Sequence, residues 1–110
     1  MARFLLASFS LSLAACSQTM EERVADAAER INAQRLPNVE SARAEGRKLI
    51  IRFAMPSSRL TNDEIVRLTT AGACNLNAVR ELVREGGSIR VESGGDFGGA
   101  SADVDRCPNA

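Results

Sequence analysis

The segment 47–55 constrains the fold of this chain most, because its apolar residues recur at the two-residue period of a β-strand. One side of that strand would carry only large apolar residues, namely Leu49, Ile51, Phe53 and Met55. Residues 39–43 also alternate, and the turn at 44–46 predicts that the two segments form a β-hairpin. A sheet with one strongly apolar face needs a second layer packed against it.

Apolar residues at helical spacing predict that second layer. Helices are expected over about 20–35, over about 62–73, and from Asn75 or Asn77 to Gly86-Gly87. The first two follow capping-box spacings at residues 19–22 and 61–64. The inward residues of the second helix would be Ile65, Val66 and Leu68.

Two further alternating segments, 88–92 and 100–104, complete the element order α-β-β-α-α-β-β. This order predicts an α+β fold, in which about three helices cover a small antiparallel sheet of about four strands. The last strand would place Cys107 close to the end of the second helix.

The amino-terminal segment has the features of an export signal. An apolar run at 4–15 follows Arg3, and it is too short to span a bilayer as a permanent helix. It ends in Leu13-Ala14-Ala15-Cys16, which resembles a bacterial lipobox. The resemblance implies cleavage before Cys16, attachment of a diacylglycerol to its sulfur, and acylation of the new amino terminus. The alternative is an ordinary signal peptide whose cleavage site falls near a cysteine.

The lipobox implies a division of the chain and a destination. Residues 1–15 would be the signal peptide, 16–19 a lipidated tether, and 20–110 a single α+β domain. In Gram-negative lipoproteins an Asp after the lipidated Cys favours the inner membrane. Ser17 therefore implies the periplasmic face of the outer membrane.

If lipid occupies Cys16, two of the three cysteines remain. In the oxidising compartment that the lipobox implies, Cys74 and Cys107 would form a disulfide. A domain this small has a marginal core and benefits from such a cross-link.

Composition weighs against several function classes. The chain has no His, Trp or Tyr, and its cationic and anionic residues balance. Without His, the chain lacks the commonest general base. Without Trp or Tyr, it has few aromatic rings on which nucleobases could stack, and its balanced charge gives no electrostatic attraction to nucleic acid. We expect no enzyme activity, no cofactor, no metal, no small-molecule substrate and no nucleic-acid partner. The glycines and carboxylates at 94–105 resemble a calcium-binding nonapeptide, but a single copy favours a hairpin loop instead.

The carboxyl-terminal half carries a family resemblance. It combines Ala73-Cys74, the run Val79-Arg80-Glu81-Leu82-Val83, the run Gly86-Gly87-Ser88-Ile89-Arg90-Val91 and a near-terminal Cys107. This pattern resembles the small outer-membrane pilotins of type II secretion, in the α/β version of that family. The resemblance implies a lipid-anchored monomer that binds the amphipathic carboxyl-terminal helix of a secretin subunit and carries it to the outer membrane.

Such recognition would place the partner helix in an apolar groove between helix and sheet. Candidate lining residues are Val24, Ala28 and Ile31 on the first helix, or Ile50 on the second face of the hairpin. The same four residues are also expected in an ordinary core. The alternative function is that of a structural or exclusion-type envelope lipoprotein with no secretin client.

The lipobox generates a first prediction. Because a thioether-linked lipid needs a thiol, Cys16→Ser should leave the protein without lipid, as a free periplasmic form or an uncleaved precursor. Metabolic labelling with an alkyne fatty acid measures the lipid, with Cys74→Ser as the control that keeps the lipidation site. Label on the Cys16→Ser protein would contradict the prediction.

Overall fold

Within residues 18–54, 60–94 and 100–107, which the computed structural model describes, three helices and four strands follow one another. The elements are α1 (Met20–Gln34), β1 (Val39–Glu45), β2 (Lys48–Ala54), α2 (Asn62–Cys74), α3 (Asn77–Arg84), β3 (Ser88–Gly94) and β4 (Ser101–Val104). The α+β class and the element order predicted from the sequence are confirmed.

The strands form one sheet in the order β1-β2-β3-β4. The outer pairs, β1–β2 and β3–β4, are antiparallel, as expected. The central pair is parallel, so the sheet is mixed and the expectation of a purely antiparallel sheet needs this correction. The reason lies in the connection, because α2 and α3 together carry the chain from the end of β2 back to the level at which β2 begins. Lys48 is therefore in register with Ser88, and Ala54 with Gly94.

The apolar side of β2 lies at the centre of the core. Leu49 and Ile51 have no exposed surface, and their parallel neighbours Ile89 and Val91 are 0 and 1% exposed. Helix α1 packs on β1 and β2, α2 packs on β3 and β4, and α3 contacts both other helices and β3. Residues from all three helices join this side of the sheet in one hydrophobic cluster. The fold is thus a helical layer on one face of a sheet.

Helix starts follow the capping signals in two of three cases. Thr19 Oγ1 accepts a hydrogen bond from the Glu22 N–H at 3.2 Å. Thr61 and Glu64 form a complete capping box, with distances of 3.2 and 3.3 Å. At α3 the predicted Asn cap is wrong, because Leu76 occupies the N-cap position and makes no side-chain bond there. Asn75 instead occupies the C-cap position of α2, which leaves Leu76 at the start of α3.

Helix α3 ends at the predicted glycine pair. Gly86 has a φ of +93°, which favours glycine. A Cβ on Gly87 would lie 2.7 Å from Leu82 Cγ, so the chain can pass this close to α3 only without a side chain. The turn leads directly into β3.

Helix α2 is rotated relative to the sequence expectation. Leu68, predicted to point inward, is 53% exposed, and Ile65 and Val66 are half-buried. The buried residues are instead Thr69, Ala73 and Cys74. Thr69 is compatible with burial because its hydroxyl donates to the Ile65 carbonyl at 2.8 Å. Cys74 fixes the rotation at the helix end.

The predicted disulfide is present. Cys74 at the end of α2 and Cys107 beyond β4 are bonded, with a Cα–Cα distance of 5.4 Å and a sequence separation of 33. Both residues belong to the hydrophobic cluster. The bond therefore holds the short β4 strand to the helical layer.

The disulfide generates a second prediction. Closing a loop of 33 residues restricts the unfolded chain, which stabilises the fold by about 3–4 kcal/mol in the chain-entropy treatment. Reduction, or the double change Cys74→Ala and Cys107→Ala, should lower the melting temperature measured by circular dichroism. Alkylation without reductant, read by mass spectrometry, is the companion measurement. Two alkylated cysteines in the oxidised protein would show that the bond does not form.

Candidate functional site

The three candidate residues on α1 lie in the core. Val24, Ala28 and Ile31 have relative exposures of 0, 6 and 1%, and they pack in the cluster between helix and sheet. In this conformation they have no surface to offer a partner. Their involvement in a groove stays a prediction, and it would require α1 to move away from the sheet.

Ile50 lies on the other face of the sheet. It is 3% exposed although it is not part of the hydrophobic cluster. Its strand neighbours in register are Arg43 on β1 and Arg90 on β3. Long arginine side chains can cover an apolar residue with their methylene groups. At 3% exposure, Ile50 itself offers a partner almost no surface in this conformation.

Ion pairs organise this open face of the sheet. Glu92 lies within 4 Å of three arginines, at 3.3 Å from Arg43, 3.9 Å from Arg52 and 3.7 Å from Arg90. Each arginine has a further carboxylate partner: Glu45, Glu40 and Asp103, respectively. Hydrogen bonds to Glu45 and Glu92 raise the pKa of Arg43 above its usual range. Charges on this face are therefore paired.

A cleft of about 280 Å³ opens between α1 and α3. Its floor is apolar, formed by Ala27, Ala78 and Leu82. Ala27 and Leu82 are buried and Ala78 is half-buried. The rim is polar and consists of Gln18, Arg23, Asp26, Arg30, Glu81 and Glu85. The volume is near the lower end of the range for ligand pockets.

Two polar contacts define the rim. An ion pair between Arg23 and Glu85 joins α1 to the end of α3. Gln18 Nε2 donates to Asp26 Oδ2 at 2.8 Å, which holds the start of the described chain against α1. Glu81 and Arg30 contribute one further charge of each sign. The cleft combines a narrow apolar floor with charges on both walls.

Sequence reasoning missed the cleft as a site. Ala27 is recognisable as part of the apolar side of α1, but its partners Ala78 and Leu82 come from α3, 51 and 55 residues later in the chain. Only the packing of α3 beside α1 brings these residues together. A local pattern shows that a residue is apolar and does not show which gap between helices stays open.

Two features are absent from the described part of the chain. Within residues 18–54, 60–94 and 100–107, no helix is both long enough and apolar enough to cross a bilayer. The same residues contain no group of three or more His, Cys, Asp or Glu side chains arranged to hold a metal ion. Cys16, the predicted lipidation site, lies outside the described residues, as does most of the loop at 94–99.

No family model matches this sequence, and no curated protein matches it either. Among solved structures, the chain is similar to a protein from Pseudomonas aeruginosa that is provisionally described as secreted. The two share 12% sequence identity, with a TM-score of 0.51 and coverage of 81% of this chain and 95% of the other. At this identity the likeness concerns the fold alone.

The position of Ile31 generates a third prediction. Because Ile31 is 1% exposed, Ile31→Asp would bury an unpaired carboxylate and should lower the free energy of unfolding by about 3–5 kcal/mol. The exposed Ala33 on the same helix provides the control. Ala33→Asp should cost only about 1 kcal/mol, from lower helix propensity and a negative charge near the end of the helix. Urea unfolding followed by circular dichroism measures both. Equal stabilities would place Ile31 at the surface.

Proposed function

We propose that this chain is an extracytoplasmic lipoprotein that binds another envelope protein while anchored through lipid at Cys16. More specifically, we propose that the chain is a pilotin, which binds the amphipathic carboxyl-terminal helix of a secretin subunit. The observation that carries the proposal is the position of the α1–α3 cleft, because Gln18 forms part of its rim. The cleft thus opens where the chain leaves the domain towards its anchor.

The distance from the cleft to the anchor follows from the sequence. Gln18 is two residues after Cys16. Two residues of extended chain span at most about 7 Å. A partner in the cleft would therefore be held close to the membrane surface, which is what a factor that delivers a subunit to a membrane requires.

The chemistry of the cleft suits a helical ligand better than a polar small molecule. The small side chains of Ala27 and Ala78 permit a close approach of another backbone, and Leu82 supplies apolar contact area. Charges on both walls would meet the polar flanks of an amphipathic helix. Recognition of this type uses apolar anchors at helical spacing.

The disulfide supports an export-side location for the domain. Disulfides persist in oxidising compartments such as the periplasm and are rare in the cytosol. The Cys74–Cys107 bond is therefore consistent with the signal sequence. We propose the periplasmic face of the outer membrane, on the basis of Ser17.

We infer a binding role and no catalysis. The chain contains no His, and the titratable residues around the cleft include an acid already paired with an arginine, Glu85 with Arg23. An envelope lipoprotein with a structural or exclusion role, and no secretin client, is the alternative.

Direct binding generates a fourth prediction. The lipid-free domain should bind peptides from secretin carboxyl-terminal helices of the same organism with micromolar to nanomolar dissociation constants, corresponding to about −8 to −12 kcal/mol. Titration followed by methyl NMR should shift the signals of Leu82 and Ala78 at the cleft. A pull-down from detergent-solubilised envelope would identify other clients.

Matched variants test the cleft itself. Ala78→Lys would place a long charged side chain on the floor, and it should weaken peptide binding at least about tenfold. Ala71→Lys is the same change on the exposed side of α2 and should leave binding unchanged. If no peptide shifts any signal in the folded protein, the pilotin proposal fails and the structural role is favoured.

A further inference from the structure

The two edges of the sheet differ in how their backbone groups are satisfied. On the β1 edge, the Ala42 carbonyl and N–H face away from β2, and both are hydrogen-bonded by the side-chain amide of Asn32 on α1. It donates to the Ala42 carbonyl at 2.8 Å and accepts from the Ala42 N–H at 2.9 Å. Helix α1 therefore blocks that edge against another strand, as natural edge strands commonly require.

The β4 edge has no such cover among the described residues. The bond from the Ser93 N–H to the Ala100 carbonyl, at 2.8 Å, fixes which pairs of the β3–β4 ladder are hydrogen-bonded. Because these pairs alternate along an antiparallel ladder, the backbone groups of Ala102 and Val104 face β3. Those of Ser101 and Asp103 face outward, and within the described chain no hydrogen bond reaches them.

The edge is also held in place before any partner arrives. Cys107, three residues after β4, is bonded to the end of α2. Val104 is buried in the core, and Ser101 Oγ lies 3.1 Å from Arg90 Nη2 on β3. A fixed strand loses little conformational entropy when a ligand binds to it.

We propose that β4 is a docking edge that accepts an extended segment of another protein as a fifth strand, with Lys or Arg at alternate positions. The side of β4 on the open face carries Asp103, and Asp105 follows in the same alternation. Asp103 Oδ1 pairs with Lys48 at 3.2 Å and with Arg90 at 3.9 Å, but the side chain is still 52% exposed. Its second carboxylate oxygen has no ion-pair partner among the described residues. Basic residues of a partner strand would lie beside these carboxylates. Main-chain bonds to Ser101 and Asp103 would supply the pairing.

A second copy of this chain fits the edge less well. Two β4 strands paired around a twofold axis at Asp103 would place two aspartates opposite each other. A shift by two residues would place Asp103 opposite Asp105 in one direction and opposite Ser101 in the other. Like charges directly opposite in a sheet are destabilising. Charge therefore favours a basic partner strand over self-association.

Amide exchange in the lipid-free protein tests the edge first. Followed by NMR, the outward amides of Ser101 and Asp103 should exchange much faster than the ladder amides of Ala102 and Val104. Slow exchange of the outward amides in a monomer would mean that the edge is already covered, which overturns the proposal. Protection that rises with protein concentration would assign the edge to a second copy and overturn it as well.

Peptides then test the partner chemistry. The probe is acetyl-TKVKVKT-amide, and saturating peptide should slow exchange at Ser101 and Asp103 at least about tenfold, since both amides gain a partner. The acidic counterpart acetyl-TEVEVET-amide and a version N-methylated at alternate residues should not. Equal effects of all three peptides would show that neither main-chain pairing nor charge is responsible.

Variants of the protein complete the test. Ser101→Pro removes an outward N–H, a position at which an edge strand tolerates proline, so binding should be lost while the fold is kept. Ser101→Ala, which loses only the hydroxyl, should still bind. Asp103→Asn should weaken binding about two- to fivefold. If Ser101→Pro does not fold, the N-methylated peptide and Asp103→Asn still decide the outcome. None of these changes touches the α1–α3 cleft, so failure here leaves the secretin proposal standing.

Discussion

The parallel pairing of β2 with β3 is the interaction on which the rest of the structure depends. Seven residue pairs stay in register from Lys48 and Ser88 to Ala54 and Gly94. The pairing puts Leu49 beside Ile89 and Ile51 beside Val91, which together form a fully buried centre. Burial of apolar surface stabilises a fold by roughly 25 cal/mol per Å². Each helix packs on this centre or on residues that adjoin it, so the helical layer has its position because the two strands meet.

Local patterns predicted the elements well, and they failed where distant segments meet. The hairpin followed from the alternation over 47–55 and the turn before it, because both signals lie within one short stretch. The parallel pair could not be read in the same way, since it joins segments separated by two helices. Asn75 looked like a helix cap because asparagine is common there. In the structure it follows the last residue of α2 and leaves the start of α3 to Leu76.

The same distinction explains the candidate site. The apolar side of α1 was recognisable from Val24, Ala28 and Ile31, and these residues form core, which periodicity alone cannot distinguish from a groove. The cleft is lined instead by Ala27, on the neighbouring side of α1, and it exists only because α3 packs beside α1. The bond between Asn32 and Ala42 had no sequence signal at all, because an asparagine on an exposed helix side is ordinary. Its role depends on the neighbouring strand.

The disulfide also determines how the chain would respond to a mechanical force. It encloses α3, β3 and β4 in a closed loop between Cys74 and Cys107. A force applied between the proposed lipid anchor at Cys16 and the chain that follows Cys107 would pass from α2 through the sulfur atoms and bypass that loop. Of the described elements, only α1, the hairpin and α2 could then be drawn out, at about 3.5 Å per residue. The segment that contains β3 and β4 would add nothing to the extension of the chain until the disulfide is reduced.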